Sequence, residues 1–432
     1  MYDQAIAKLA KQKDFDYEIY REEESGITCK FVNGKIHSID HLSESSTGIR
    51  ILKEGAIAFS FLTGNDLPVE DIVEKSLKRS NLLHKYPYHS FPSGSSIQVN
   101  GLYDRKVADL DENDLLTYGQ DLLNRIEINN ASIELFEVYT TTVTRTLENS
   151  SGTRLSEKST EFAFLITGFI KEGSYSSESV EKSYVSHNLN RAEMDDQFSK
   201  FTDNLKLRKK EGSLINKKYS LVIEPSLFYE LIIEPVIENI TLESLYYKSS
   251  IYNKLNEKIM PSWLTVYDDG TQDNMPNSIE FDREGIRPEK KEIIKNGTLK
   301  NYIGNDLFST LLGIDCRGNA SGGSDEQPYS DVTNIFVDPG EFALDNLIAD
   351  VREGIIAEQF TGYIDSLSGN FSGLLKGAYK IINGEVKSGI KGLNISGNIK
   401  DLIKEIKGTS KERPYRIYGK IPYGYIPDFK VG

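Results

Sequence analysis

Glu230, Glu234 and Glu238 fall at successive four-residue steps inside the apolar stretch SLFYELIIEPVIENI, residues 226–240. On a helix that spacing puts side chains along one face. Three uses are open to carboxylates placed this way. They can hold Mg²⁺, Mn²⁺ or Ca²⁺, since oxygen ligands favour hard cations over zinc. They can exchange a proton as general acid or base. Or they can face solvent or a cavity wall and do no chemistry, the ordinary condition of a charged helix face. Asp268, Asp269, Asp282 and Glu284 form a second acidic group within VYDDG and FDREG. Turn and cap chemistry accounts for most of it, because Asp before Gly is a turn signal.

Imidazole is scarce. His37, His41, His84, His89 and His187 are the only histidines of the 432 residues, so nothing after residue 187 can supply a ring nitrogen. His37 and His41 have the spacing of a helical metal pair, but FVNGKIHSID alternates like a strand after an Asn-Gly turn. On a strand, residues four apart lie about 13 Å from each other, too far to share an ion. Cys29 and Cys316 are the only cysteines, too few for a disulfide framework or a cysteine zinc site, and they read as buried thiols. A net charge of −14 argues against a nucleic-acid partner, which needs a basic face. The basic run LKLRKK, residues 205–210, reads as a solvated helix end or linker. No apolar run approaches the roughly 20 residues of a membrane helix, and the first residues lack the zones of a signal peptide. A cytoplasmic protein with no membrane partner is expected.

The elements that must position the carboxylates follow from periodicity. Residues 3–13 have helical spacing, and the pattern then switches to period two. YEIYREEE, GITCKFVNGKIHSID, TGIRILKEG and AIAFSFLTG read as successive strands of an antiparallel meander, with turns at Asn33-Gly34 and Glu54-Gly55. Amphipathic helices follow at 68–83 and 112–128, then two strands within 133–152 and 161–173. This predicts an α+β N-terminal domain, residues 1–204, an antiparallel sheet with packed helices. The polar, basic run 201–216 reads as the link to a second domain, residues 205–432. YSLVIEP is a strand, and 226–255 is helical, kinked or split at Pro235, which lacks an amide hydrogen. The remainder reads as mainly β with many turns, its strands including SIEFDREGI, residues 278–286.

Three passages taken together carry a family resemblance: VYDDG with NSIEFDREGIRPEKKEIIKNGTLKNYI (266–303), RGNASGGSDEQPYSDVTNIFVDPGE (317–341) and SGNFSGLLKGAYKIINGEV (368–386). With GIRILKEGAIAFSFLTG and LENSSG ahead of them, their order resembles the TldD/PmbA (TldE) family across nearly the whole chain. The resemblance implies a curved or barrel-like β-rich second domain and a dimer enclosing a cavity, in the cytoplasm. It also implies two branches. TldD-like subunits carry a zinc motif, HExxxH, on a helix, and PmbA/TldE-like subunits lack it. The pair is implicated in proteolysis of unfolded peptides and in peptide maturation.

On the position of that motif this sequence has Tyr229-Glu230-Leu231-Ile232-Ile233-Glu234. Tyr229 and Glu234 stand where the histidines would be, and Glu230 matches the family's general base. Ser410 stands where a downstream cysteine ligand is expected. A zinc peptidase needs neutral nitrogen or thiolate ligands, so no catalytic residue, metal or cofactor is expected in this chain. The zinc is expected on a TldD-like partner. Two alternatives remain: an independent metal-dependent peptidase using Glu230, and a homodimeric peptide-binding or regulatory protein of the gyrase-modulator type. The Gly-Asn runs GNASGG and SGNFSG read as tight turns, or as a wall to which an extended peptide adds as a strand. On the second view Asn319, Ser321, Asn370 and Ser372 contact the peptide.

Overall fold

The fold was taken from a computed structural model, which describes residues 2–64, 68–215 and 217–431. Helix α1 (Tyr2–Lys13) leads into strands β1 (Asp16–Val32), β2 (Lys35–Lys53) and β3 (Ala56–Thr63), followed by α2 (Val69–Ser80) and α3 (Glu112–Asn124). Strands β4 (Ala131–Asn149) and β5 (Arg154–Glu172) come next, then β6 (Tyr175–Ser176), β7 (Val180–Ser186) and α4 (Arg191–Leu207). The strands form one antiparallel sheet in the order β3-β2-β1-β4-β5, with β6 and β7 both paired to β5.

The expected meander strands fuse at two places: β2 runs unbroken from Lys35 to Lys53, and β1 runs unbroken through Ser25-Gly26, because Gly26 serves close approach and not a turn. A Cβ there would fall 2.4 Å from the Thr140 carbonyl oxygen of β4. The Asn33-Gly34 and Glu54-Gly55 turns form as expected, with positive φ at all four residues.

Period-two alternation then divides the sheet's residues between its faces. Phe31, Phe136, Val138, Phe162 and Phe164 pack under α3 and α4, while Tyr17, Ile19, Ile49 and Ile51 pack under α1 and α2. The opposite face carries Glu18, Tyr20 and Glu22 of β1 with Arg145 of β4, and looks toward the C-terminal half. The expected link at 201–216 begins as helix: Phe201 and Leu205 on the last turns of α4 are buried in the N-terminal core.

The C-terminal half is mostly strand, which completes an α+β fold. A seven-stranded mixed sheet is centred on Lys218–Ile223, Glu353–Ala357 and Tyr379–Ile382. A six-stranded sheet contains Val266–Asp268 and Ile335–Val337. A third sheet holds Gln359–Asp365, Asn370–Lys376 and Leu393–Asn398. The helix over 225–239 packs into the largest core of the chain. The helix expected to run on to 255 stops earlier: a short piece, Leu242–Tyr246, follows it, and the chain is irregular beyond.

SIEFDREGI is not a strand. Asp282 replaces the ladder with its own carboxylate, which accepts the N–H groups of Glu284 (2.9 Å), Ile286 (2.9 Å) and Ala320 (3.0 Å). That turn presents Arg283 and Glu284 to the N-terminal sheet. Arg50 donates twice to Glu18 (2.9 and 2.6 Å) and once to Glu284 (3.0 Å), and Arg283 donates to Glu18 (3.0 Å). All four side chains are 3% exposed or less.

Removing one member of a buried ion cluster strands the others without water. Arg50→Ala is therefore expected to lower unfolding free energy by about 3–5 kcal/mol, read from urea denaturation. A loss under about 0.5 kcal/mol, the range of an ordinary surface substitution, would show that the cluster does not join the two halves.

Candidate functional site

A cavity of about 640 Å³ lies between the N-terminal sheet and the C-terminal half. One wall is the helix-free face of β1, β4 and β5, where Tyr20, Glu22, Arg145 and Glu161 project. Glu22 and Arg145 are register partners on adjacent strands, and their side chains meet at 3.4 Å, with Glu157 also 3.3 Å from Arg145. The facing wall carries Tyr229, Glu234, Asp331, Tyr418 and the turn at 320–323. That turn is clamped to the sheet: Ser324 donates its N–H to Glu22 (2.8 Å), and a Cβ at Gly48 would sit 2.4 Å from the Ser324 carbonyl oxygen.

Pro235 explains how the carboxylate-bearing helix reaches the cavity. The segment is not one α-helix. Pro225–Phe228 is α, Tyr229–Ile233 is a π turn, and Glu234–Asn239 is α again with Pro235 in its first turn. A missing N–H costs nothing there, so the helix is split at that point, and the π turn takes up the change in hydrogen-bond register. The Glu234 N–H bonds to the Tyr229 carbonyl, five residues back. Tyr229 and Glu234 thus stand one turn apart and both line the cavity.

The three glutamates do not act together. Glu230 accepts the Phe360 N–H at 2.8 Å, and Glu238 accepts the Ser366 hydroxyl, so these two tie the helix to the strand Gln359–Asp365 and the residue just past it. Burial pushes the Glu230 carboxyl up to about 7, against the opposing pull of the Phe360 hydrogen bond and with a smaller contribution from the charge of Glu234. Glu234 opens to cavity solvent, yet the surrounding protein holds its carboxyl above the ordinary range, helped by Glu238 and Asp331. Tyr229 is buried and stacks on Tyr418, with ring centroids 4.1 Å apart and planes 6° from parallel. Its phenol is harder to ionise than a free one, first through burial and then through the charges of Glu234 and Asp331.

These donors do not fit a zinc centre. The helix offers a phenol and carboxylates where imidazole or thiolate is required. Among the described residues, no three of His, Cys, Asp and Glu gather as a metal ion needs. Ser410 is fully buried, donating to the Glu412 carbonyl (2.7 Å) and accepting the Tyr423 N–H (2.9 Å), and it does not line the cavity. The C-terminal residue that does meet position 229 is Tyr418. Burial raises the thiols of both cysteines, Cys316 to about 11, and neither lines the cavity. His37 and His41 lie on β2, where the latter contacts Glu112 at 3.3 Å.

Of the residues read as peptide contacts, the structure brings two to the cavity. Asn319 and Ser321 line it. The polar atoms of Asn319 are already engaged: its amide donates to Asp268 (2.6 Å) and the Asp331 carbonyl (3.1 Å), and its oxygen accepts from Lys291. Asn370 and Ser372 lie elsewhere, on the middle strand of a three-stranded sheet with partners on both sides, so that backbone offers no free edge. The acidic group also divides. Asp269 and Asp282 do turn chemistry, Asp268 accepts from Asn319 and Thr333, and Glu284 joins the buried ion cluster. Sequence reasoning missed Tyr418, Arg145 and Glu22; only the alternation of β1 and β4 signalled the last two.

The family model described as the PmbA/TldA metallopeptidase C-terminal domain matches residues 216–432, and that of PmbA/TldA metallopeptidase domain 1 matches residues 17–79. An uncharacterized protein of Methanocaldococcus jannaschii is 26% identical over 93% of this chain and 92% of its own length. A metalloprotease TldD homolog of Haemophilus influenzae is 31% identical over a shorter stretch, 37% of this chain and 34% of that protein. Among solved structures, TldE from Thermococcus kodakarensis shares the fold with a TM-score of 0.90 at 17% identity, each chain covered in full. A candidate modulator of a DNA gyrase from Thermotoga maritima gives 0.85 at 18% identity, over all of this chain and 99% of the other. With more than half of its length matched by the family's C-terminal model, the chain belongs to the PmbA/TldD metallopeptidase family.

Proposed function

We propose that this protein is the non-catalytic, PmbA/TldE-like subunit of a TldD/TldE-type metallopeptidase. It shapes the chamber for unfolded peptides beside a TldD-like subunit that carries the zinc. The observation that carries this reading is the Tyr229–Tyr418 stack at the position where the family motif would put a metal-binding histidine. A buried phenol packed ring to ring supplies no neutral nitrogen, and no histidine follows residue 187. Support for the chamber comes from the solvent-open cavity of about 640 Å³ between the two halves. The division at 204/205, the cytoplasmic setting and the pairing with a second subunit belong to the same proposal.

One observation favours the rival, an independent metal-dependent peptidase. A carboxyl titrating at about 7 is well matched to general-base work at neutral pH. Against this, one Glu230 oxygen is engaged by the Phe360 N–H, and the side chain is absent from the cavity lining. Glu230 is better read as a structural tie.

Two outcomes are expected. The purified chain alone leaves unfolded polypeptide intact by mass spectrometry, and hydrolysis appears when a histidine-bearing TldD-like subunit from the same organism is added. Chelator-sensitive cleavage by the chain alone, lost in Glu230→Ala, would overturn the proposal.

The second outcome concerns pH. The Glu230 carboxyl rises from an ordinary 4.5 to about 7 on folding, so the folded state favours its neutral form. The associated stability is complete below 4.5 and is lost as pH climbs through 7. Glu230→Gln keeps an acceptor for Phe360 but cannot ionise. In urea denaturation at pH 8 the variant should exceed the parent by about 1–3 kcal/mol, and the gap should close at pH 5. An equal gap at both pH values would exclude the buried-carboxyl account.

A further inference from the structure

Tyr229 is 7% exposed, yet its hydroxyl has no hydrogen-bond partner among the described residues and the side chain lines the cavity. The ring is buried while the phenol oxygen reaches cavity solvent, so the hydroxyl is available to a bound ligand. Beside it stand Glu234 and Asp331, which also line the cavity and have no cationic partner among the described residues. The two arginines that line the cavity form their ion pairs with other carboxylates, Arg145 with Glu22 and Glu157 and Arg283 with Glu18. The cavity therefore offers here a phenol oxygen and two carboxylates that form no ion pair among the described residues, one Asp331 oxygen already accepting the Val332 N–H at 2.7 Å.

We propose that Tyr229, Glu234 and Asp331 form a subsite for an organic ammonium group, contributed by a lysine side chain or by the amino terminus of a bound peptide. The number of groups matches: an ammonium carries three N–H donors, and the site presents one acceptor from each of three side chains. Hydrogen bonds between ammonium and carboxylate are of the stronger, charge-assisted kind. The Tyr418 ring, stacked on Tyr229, adds an aromatic surface of the sort that attracts cations. Among the described residues no three of His, Cys, Asp and Glu gather as a metal ion needs, which favours an organic cation here. Burial, and then neighbouring carboxylates, hold both carboxyls above the ordinary range, and a bound cation would oppose that displacement. The inference rests on the reading of the cavity as a peptide chamber and adds a substrate preference to it.

Titration calorimetry on the full chain tests it with three short Gly/Ser/Ala peptides. One is capped at both ends with a central lysine, one is identical with norleucine for lysine, and one has no lysine but a free amino terminus. Either cationic peptide, or both, should bind about tenfold more tightly than the norleucine peptide, and the arm that does so names the source of the ammonium. Glu234→Gln and Tyr229→Phe, each checked for a native circular dichroism spectrum, should erase most of that preference. The second variant keeps the stacked ring, so it separates loss of the hydroxyl from loss of packing. Equal affinity for all three peptides, binding of none, or an unchanged preference in both variants would overturn the inference. Mass spectrometry of the recovered peptides keeps the two readings apart. Cleaved peptide with the charge preference intact would sink the non-catalytic assignment alone, whereas intact peptide bound without preference would sink the ammonium site alone.

Discussion

Glu18 and Arg50 face each other across β1 and β2, and the rest of the molecule is arranged around their ion pair. Two carboxylates and two guanidiniums are buried together, and desolvating any one alone would cost several kcal/mol. The arrangement is tolerable only with all four present, so it fixes the register of the C-terminal half on the sheet. From Glu284 the constraint passes outward. Its second oxygen accepts the Asp306 N–H (2.6 Å), and the Asp306 carboxylate accepts the Tyr88 hydroxyl (2.7 Å). From Asp282, one residue before Arg283, it passes through the Ala320 N–H to the turn that walls the cavity. Residues 282–284 thus join the turn that walls the cavity to the sheet that faces it.

Much of this was legible in the sequence, and the legible part was local. The N-terminal sheet followed from period-two alternation, α2 and α3 from helical spacing, and the first hairpin from Asn33-Gly34. The FDREG passage misled for a physical reason: its alternation suits a strand, but its aspartate competes for the backbone N–H groups that a ladder would need. The break read at Gly26 failed because a glycine required for close approach looks, in sequence, like a glycine required for a turn. Long-range charge pairing was not legible at all. Nothing near Glu18 marks it as the partner of Arg283, 265 residues away.

The candidate site was half legible. Spacing placed Glu230, Glu234 and Glu238 on one helix, and Pro235 foretold an interruption. What the pattern could not supply was the kind of interruption. In a continuous α-helix, four-residue steps would keep the glutamates together on one face. A π turn brings residues five apart into line instead, so Glu234 joins Tyr229 in the cavity while Glu230 binds the neighbouring strand, and Glu238, in the α-helical piece beyond, accepts from Ser366. The aromatic partner came from the far end of the chain, where PYRIYGKIPYG contains several tyrosines and no local rule singles out Tyr418.

Family membership and site chemistry therefore bear on different questions. Membership follows from length matched and fold shared, neither of which depends on the residue at position 229. Chemistry depends on it directly. A histidine there would present a lone pair to a metal, whereas a tyrosine whose ring is packed against Tyr418 presents only a hydroxyl and the negative potential of two neighbouring carboxylates. At this position the cavity wall therefore carries a phenol beside carboxylates and no ring nitrogen. Retaining the chamber while changing what its wall attracts requires no change in the fold, because Glu18, Arg50 and Glu284, which anchor the C-terminal half on the sheet, do not line the cavity, whereas Tyr229 and Glu234 do.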